Sequence, residues 1–255
     1  MNPWLIGAPV ATAAAIAGVV AYGAAHPSAQ IFGPTISRTN SPRKLAITFD
    51  DGPNPAITPK LLDLLDRYKA PATFFLIGRY IRECPELVSE ISARGHIIGN
   101  HTESHPNLFW KRSTEIRVEL RLTYSVLKNI LGAPPKWFRP PYGLRNPWLA
   151  GEARELNMRV VTWTLLPGDW KAPSSEWLIQ RMQPIASRAQ RALKRASGTG
   201  EIICLHDGNH REQNADRTRT LAALEHWLPR WRDLGLEFVT IENAVGENTV
   251  SAPPK

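Results

Sequence analysis

Two adjacent carboxylates close a short apolar run: from Lys44 to Asn54 the chain reads Lys-Leu-Ala-Ile-Thr-Phe-Asp-Asp-Gly-Pro-Asn. Leu45 to Phe49 has the length and composition of a buried β-strand, and Gly52-Pro53 is a turn signal. Neighbours on a regular strand point to opposite faces. At the strand's end the turn releases that rule, so Asp50 and Asp51 could aim at one site, one binding a metal while the other accepts a proton. Taken alone, the pair reads better as a polar exit from a strand. His101-Thr102-Glu103-Ser104-His105 places two imidazoles four residues apart, on one face if that turn is helical. Two imidazoles and a carboxylate from another strand end leave positions open on a divalent cation for water and substrate. The same trio suits zinc and non-haem iron, so the donor types do not name the metal.

The elements that must carry these groups follow from periodicity. Leu61, Leu62, Leu65 and Tyr68 fall at helical spacing, then Ala72–Gly78 reads as a strand and Pro85–Arg94 as an amphipathic helix closed by Gly95. His96–Asn100 is a strand, Ser113–Leu131 a long helix stopped by Gly132, and Trp137–Arg139 a short strand before Pro140-Pro141-Tyr142-Gly143. Trp148–Leu156 is helical and Arg159–Thr164 a strand; Ser175–Arg195 is helical and Glu201–Leu205 a strand ending in His206-Asp207. A last helix near Thr218–Leu234 contains Pro229, expected to kink or break it, and Leu236–Ile241 closes the series. Seven or eight strands alternating with helices predict a mostly parallel sheet. Asp50-Asp51, His101, Arg139, Asp169 and His206 all fall just beyond the carboxyl ends of different strands. That convergence favours an α/β fold of the irregular (β/α) barrel type over an open doubly wound sheet, whose site draws on fewer strands.

The chain has 255 residues, 21% charged and 43% hydrophobic, with a formal charge of +8. No Asp, Glu, Lys or Arg precedes Arg38. Basic residues are dispersed and no nucleic-acid-binding signature occurs, so nucleic acid is not an expected partner. Residues 1–25 are expected to be a signal peptide or a transmembrane anchor: Trp4 to Ala25 is 22 residues without a charge, although nine are Ala and three Gly. Either reading exports the body, to the periplasm or exterior, or to a membrane-anchored position outside the cytoplasm. Residues 26–42 read as a linker, 43–245 as one domain, expected to be monomeric, and 246–255 as a disordered tail. Cys84 and Cys204 lack a CxxC partner and read as free thiols.

Taken together, Thr48-Phe49-Asp50-Asp51-Gly52-Pro53, His101-Thr102-Glu103-Ser104-His105, Arg139-Pro140-Pro141-Tyr142-Gly143, Asp169-Trp170 and Leu205-His206-Asp207 resemble the ordered motifs of polysaccharide deacetylases, the NodB-homology enzymes of carbohydrate esterase family four. The resemblance spans roughly Lys44 to Ile241. It implies hydrolysis of N-acetyl groups on N-acetylglucosamine units of peptidoglycan, chitooligosaccharide or a similar exported glycan. A non-catalytic glycan-binding module on the same fold is the alternative. By resemblance, Asp51, His101 and His105 would bind a divalent metal, Zn²⁺ foremost, with Co²⁺, Ni²⁺ or Mn²⁺ as substitutes. Asp50 would be the general base, Arg139 would orient or tune it, and His206 would be the general acid. Tyr142 would offer its backbone N–H to the oxyanion and, with Asp169 and Trp170, contact the sugar. One departure stands out: the family's fourth motif commonly has an Asp three residues before the Asp-Trp pair, where this chain has Leu166. That predicts either a substitute carboxylate beside His206 or an acid of lower pKa.

Overall fold

The computed structural model describes residues 4–195 and 197–246. The expected tail, apart from Gly246, and residues 1–3 of the N-terminal segment lie outside the described residues. Eight strands alternate with helices: β1 (Thr35–Ile36), β2 (Lys44–Asp50), β3 (Thr73–Leu76), β4 (Ile97–Asn100), β5 (Trp137–Phe138), β6 (Arg159–Val161), β7 (Glu201–His206) and β8 (Glu237–Val239). The helices are α1 (Trp4–Ala25), α2 (Thr58–Arg67), α3 (Gly78–Glu83), α4 (Pro85–Ala93), α5 (Ser113–Leu131), α6 (Leu149–Glu155), α7 (Ser175–Arg195), α8 (Thr218–Asp233) and α9 (Ile241–Val245).

The sheet runs β1-β6-β5-β4-β3-β2-β7, and every strand pairing in it is parallel. The first residues of β2 also pair with β8. The curl nearly meets itself where the chain beyond β6 touches β7: Thr164 N–H donates to Ile202 O at 2.9 Å and Cys204 N–H to Leu165 O at 2.9 Å. The result is an irregular (β/α) barrel, as expected.

Strand alternation sorts the side chains into two cores. Leu45, Ile47 and Phe49 face outward into the main core, with Phe74, Leu76, Ile203 and Leu205 against the helices. Ala46 faces the lumen with Phe75, Trp137, Val161, Trp163, Ile202 and Cys204. The lumen is therefore apolar at its base and becomes polar toward the carboxyl ends, where Thr48 and Asp50 follow Ala46 along the same face of β2.

Two expectations give way. The stretch 26–42, expected as a linker, lies against the body: its β1 pairs with β6, and Thr162 Oγ1 donates to Pro27 O at 2.8 Å. Lack of periodicity hid it, because a two-residue strand carries no repeat. Of the two outcomes expected at Pro229, a kink or a break, the break does not occur: α8 runs on as one helix with Leu224, Trp227, Leu228 and Trp231 buried. The packing of those residues outweighs a proline cost of about 3 kcal/mol. The short α3 and α9 were not anticipated at all. The end of α1 is tied to the body by Arg145, whose N–H donates to Ala24 O at 3.1 Å and whose guanidinium donates to Ala29 O at 2.9 Å.

Candidate active site

At the end of β2 the backbone leaves the extended region at once: Asp51 has φ 71°. That left-handed turn lets two consecutive carboxylates face the same cleft, and a non-glycine residue there costs about 1–3 kcal/mol. A buried clasp holds the turn. Asn54 N–H donates to Thr58 Oγ1 at 2.9 Å, Thr58 Oγ1 donates to Asp207 Oδ2, and Asn54 Nδ2 donates to Asp207 O at 2.9 Å. Gly52 has to be glycine, because a Cβ there would stand 2.3 Å from the Asp207 carboxylate. The turns after β2 and β7 are thus locked together, with Asp50 in register opposite His206.

His101 and His105 do not share a helical face. Their segment is a loop with left-handed backbone at Thr102 (φ 68°) and His105 (φ 59°), and it is held from three sides. Asn100 Oδ1 accepts Thr102 N–H at 2.8 Å, and Thr102 Oγ1 accepts His105 N–H at 3.1 Å. From α5, Glu119 accepts the N–H groups of Glu103 and Ser104 at 3.0 and 2.9 Å. At the start of α3, Gly78 N–H donates to Thr102 O at 2.9 Å. Both imidazoles then turn Nε2 to Asp51 Oδ1, at 3.5 Å from His101 and 3.2 Å from His105.

Arg139 is fully buried in the lumen rather than on the surface. Its Nη1 donates to Asp50 Oδ1 at 2.8 Å and to Thr48 Oγ1 at 2.7 Å, and its Nη2 to Thr162 O at 3.0 Å. The guanidinium also lies 4.2 Å from the Phe75 ring centre. A buried cation is tolerable only when paired and bonded in this way. Asp50 Oδ2 receives the Cys204 thiol at 3.2 Å. Beyond Arg139, Tyr142 adopts φ 58° within a 3₁₀ turn, its ring half-exposed and edge-on to His105 at 4.7 Å. A Cβ on Gly143, itself at φ 68°, would meet the Trp163 ring at 2.6 Å.

His206 does have a carboxylate partner, and it is Asp169. Asp169 Oδ1 lies 2.8 Å from His206 Nδ1, and its Oδ2 accepts His206 N–H at 2.7 Å and the Thr220 hydroxyl at 3.1 Å. With its oxygens taken and its side chain buried, Asp169 does not face the cleft, contrary to the sugar contact expected of it. Leu166 instead packs against the lumen core. Burial opposes the charged ring of His206, but Asp169 outweighs it, and the imidazole is pushed up to about 9. Trp170 is 44% exposed and sits edge-on to His206 at 5.0 Å, so it walls the cleft instead of joining the core.

Asp50, Asp51, His101, His105, Tyr142, Trp170 and His206 line one cleft of about 550 Å³, with Arg139 and Asp169 buried behind it. The residues fit a divalent cation. Asp51, His101 and His105 bring donor atoms within 4.8 Å of one another, and Asp51 Oδ1 is buried with no hydrogen-bond partner. Burial disfavours charge on Asp51, yet His101, His210 and His105 hold it well below the usual carboxylate range. Burial drives His105 down to about 2, which leaves the neutral, ligating form. His101 places Nδ1 2.7 Å from Arg139 O, which fixes the tautomer and frees Nε2. Asp50, Cys204 and His206 also cluster. There, burial raises the Cys204 thiol well above its ordinary value and keeps it protonated, so it donates to Asp50 and is not a ligand.

The residues of this chain match the family description "polysaccharide deacetylase" over positions 37–161. A chitooligosaccharide deacetylase of Azorhizobium caulinodans is 34% identical over 206 residues, covering 78% of this chain and 93% of that protein. A peptidoglycan-N-acetylglucosamine deacetylase of Bacillus cereus is 37% identical over 213 residues, covering 79% and 88%. The chain belongs to the polysaccharide deacetylase family. A crystal structure of a peptidoglycan N-acetylglucosamine deacetylase superposes with a TM-score of 0.70 at 32% identity, covering 83% of this chain and 92% of the other. As a member of this family of carbohydrate esterases, the chain is a hydrolase.

Three contributors to this deacetylase-family site escaped sequence reasoning. Cys204 stands two residues before His206 and so on the same lumen face of β7, which strand alternation could have shown. Thr48 bears the same relation to Asp50. His210, four residues beyond His206, had no motif to mark it.

Proposed function

We propose that this chain removes acetyl groups from N-acetylglucosamine units of a cell-wall or exported polysaccharide by metal-assisted hydrolysis, with zinc as the first candidate metal. The observation that supports this best is the unpartnered Asp51 Oδ1 facing two imidazole Nε2 atoms, with Asp50 and His206 in register on adjacent strands beside it.

Asp51, His101 and His105 would hold the cation, which when bound supplies a Lewis acid that polarises the amide carbonyl and acidifies water. Arg139 fixes one oxygen of Asp50 and leaves Oδ2, next to the Cys204 thiol, to take a proton from the attacking water. The Tyr142 N–H would meet the developing oxyanion. An amine leaves poorly unless protonated. His206, its Nδ1 occupied by Asp169, delivers that proton from Nε2. Trp170 and the Tyr142 ring, both part-exposed at the cleft, offer flat apolar faces for a sugar ring.

Acetate release from a panel of chitooligosaccharides, peptidoglycan and other N-acetylated glycans tests the reading. Release is expected from at least one N-acetylglucosamine polymer, with loss on chelation and recovery on adding zinc. Metal-loaded protein that frees no acetate from any of them would contradict it and favour a binding role.

A further inference from the structure

His101 and His105 are held in different ways. His101 has a polar partner behind it in Arg139 O, whereas His105 Nδ1 is buried and has no hydrogen-bond partner among the described residues. A ligating imidazole ordinarily gives its second nitrogen to such a partner, which sets its rotation. Packing must therefore orient His105. The Tyr142 ring meets it edge-on at 4.7 Å, and His101 does so at 4.9 Å. The face of His105 is covered by His210, whose ring lies parallel to it within 17° at 4.3 Å.

His210 also reaches a second member of the set. Asp51 turns Oδ1 toward the two imidazoles, and its Oδ2 lies 3.7 Å from His210 Nδ1. That separation exceeds a hydrogen bond; with its proton on Nδ1 the ring would turn an N–H dipole toward the carboxylate. On the other side, His210 Nε2 is 3.3 Å from the Tyr142 hydroxyl. One neutral tautomer satisfies both ends, with the proton on Nδ1 facing Asp51 and Nε2 accepting from Tyr142. The backbone beneath the ring is anchored to α3, because the Arg79 guanidinium donates to His210 O and the Tyr80 hydroxyl donates to Asn209 O at 3.0 Å.

We propose that His210 is a positioning residue of the metal site. By stacking it supplies the restraint that His105 lacks, and it steadies the second oxygen of Asp51. The proposal rests on Asp51, His101 and His105 being the ligands.

The test is zinc affinity of the full chain, measured by competition with a chromophoric chelator, for wild type, His210→Phe and His210→Ala. His210→Ala removes the stack and the dipole and should bind zinc about 10–100-fold more weakly, the usual effect of losing an outer partner of a ligand. His210→Phe keeps a ring over His105 and should fall between the two, several-fold weaker than wild type. Melting temperatures in excess chelator should match for all three, because the ring is a quarter exposed and its loss should not unfold the barrel. A folded His210→Ala binding within twofold of wild type overturns the proposal. If His210→Ala melts lower in chelator, His210→Leu, which keeps bulk but has neither flat ring nor dipole, decides: at least tenfold weaker binding supports the proposal and wild-type affinity overturns it. Wild-type protein that binds no zinc removes the ligand assignment itself, and the proposal with it.

Discussion

The chemistry of the cleft depends on a few side chains whose partners are buried. The Asp169–His206 pair gives a prediction with a definite sign. Burial alone would lower the pKa of His206, and Asp169 raises it to about 9. An acid catalyst works only while it holds its proton, so activity should fall as pH rises through that value. Asp169→Asn removes the opposing charge, and the basic limb of the pH–rate profile should move to lower pH by a unit or more, each unit being about 1.4 kcal/mol. A limb that stays in place would show that His206 is not the proton donor. Arg139 and Asp50 form another buried pair, 2.8 Å apart. Arg139→Met should cost about 3–5 kcal/mol of unfolding free energy, because it leaves a buried carboxylate without its cation; denaturant titration would measure it, and a loss under 1 kcal/mol would mean that Asp50 finds another partner. The motifs brought out Asp50, Asp51, His101, His105, Arg139 and His206. They did not reveal that Asp169 is the carboxylate behind His206, since spacing along the chain cannot show which side chain fills the place Leu166 leaves.

At the scale of elements, the site is made by what happens just past the strands. Asp51, Thr102, His105 and Tyr142 all have left-handed backbone, and each lies in the turn or loop after β2, β4 or β5. Such conformations persist only where the surroundings impose them. Glu119 is one such support, holding Glu103 and Ser104 from α5. Glu119→Ala should release the 101–105 loop, weakening zinc binding by about tenfold while changing the melting temperature in chelator little. Unchanged affinity would assign the loop's shape to Asn100 and α3 instead. Long elements were readable beforehand: α5 and α7 run as their apolar periodicity and Gly132 indicate. The 101–105 loop was not readable, because a helical spacing of two histidines is equally served by two left-handed turns.

For the whole molecule, alternation of strand and helix was enough to predict a mostly parallel sheet, and the polar residues past the ends of several strands favoured a barrel over an open sheet and told which rim carries the site. The N-terminal stretch was harder. It lacks periodicity, yet β1 and Arg145 fasten it to the body. Of the residues described in full, none forms a helix long and apolar enough to cross a membrane. Export is proposed from the uncharged sequence Trp4–Ala25 and from the proposed glycan substrate. A reporter fused after Lys255 should be active outside the cytoplasm, and a cytoplasmic reporter on an uncleaved, soluble chain would refute it. The central claim is that Asp50 takes the proton from water while Asp51, His101 and His105 hold the metal. Acetate release by zinc-loaded Asp50→Asn, on the glycan the wild type deacetylates, tests it most directly. The carboxamide keeps the shape but cannot take the proton, so turnover should drop at least about 10²-fold with zinc content unchanged. Turnover near that of the wild type would contradict the account.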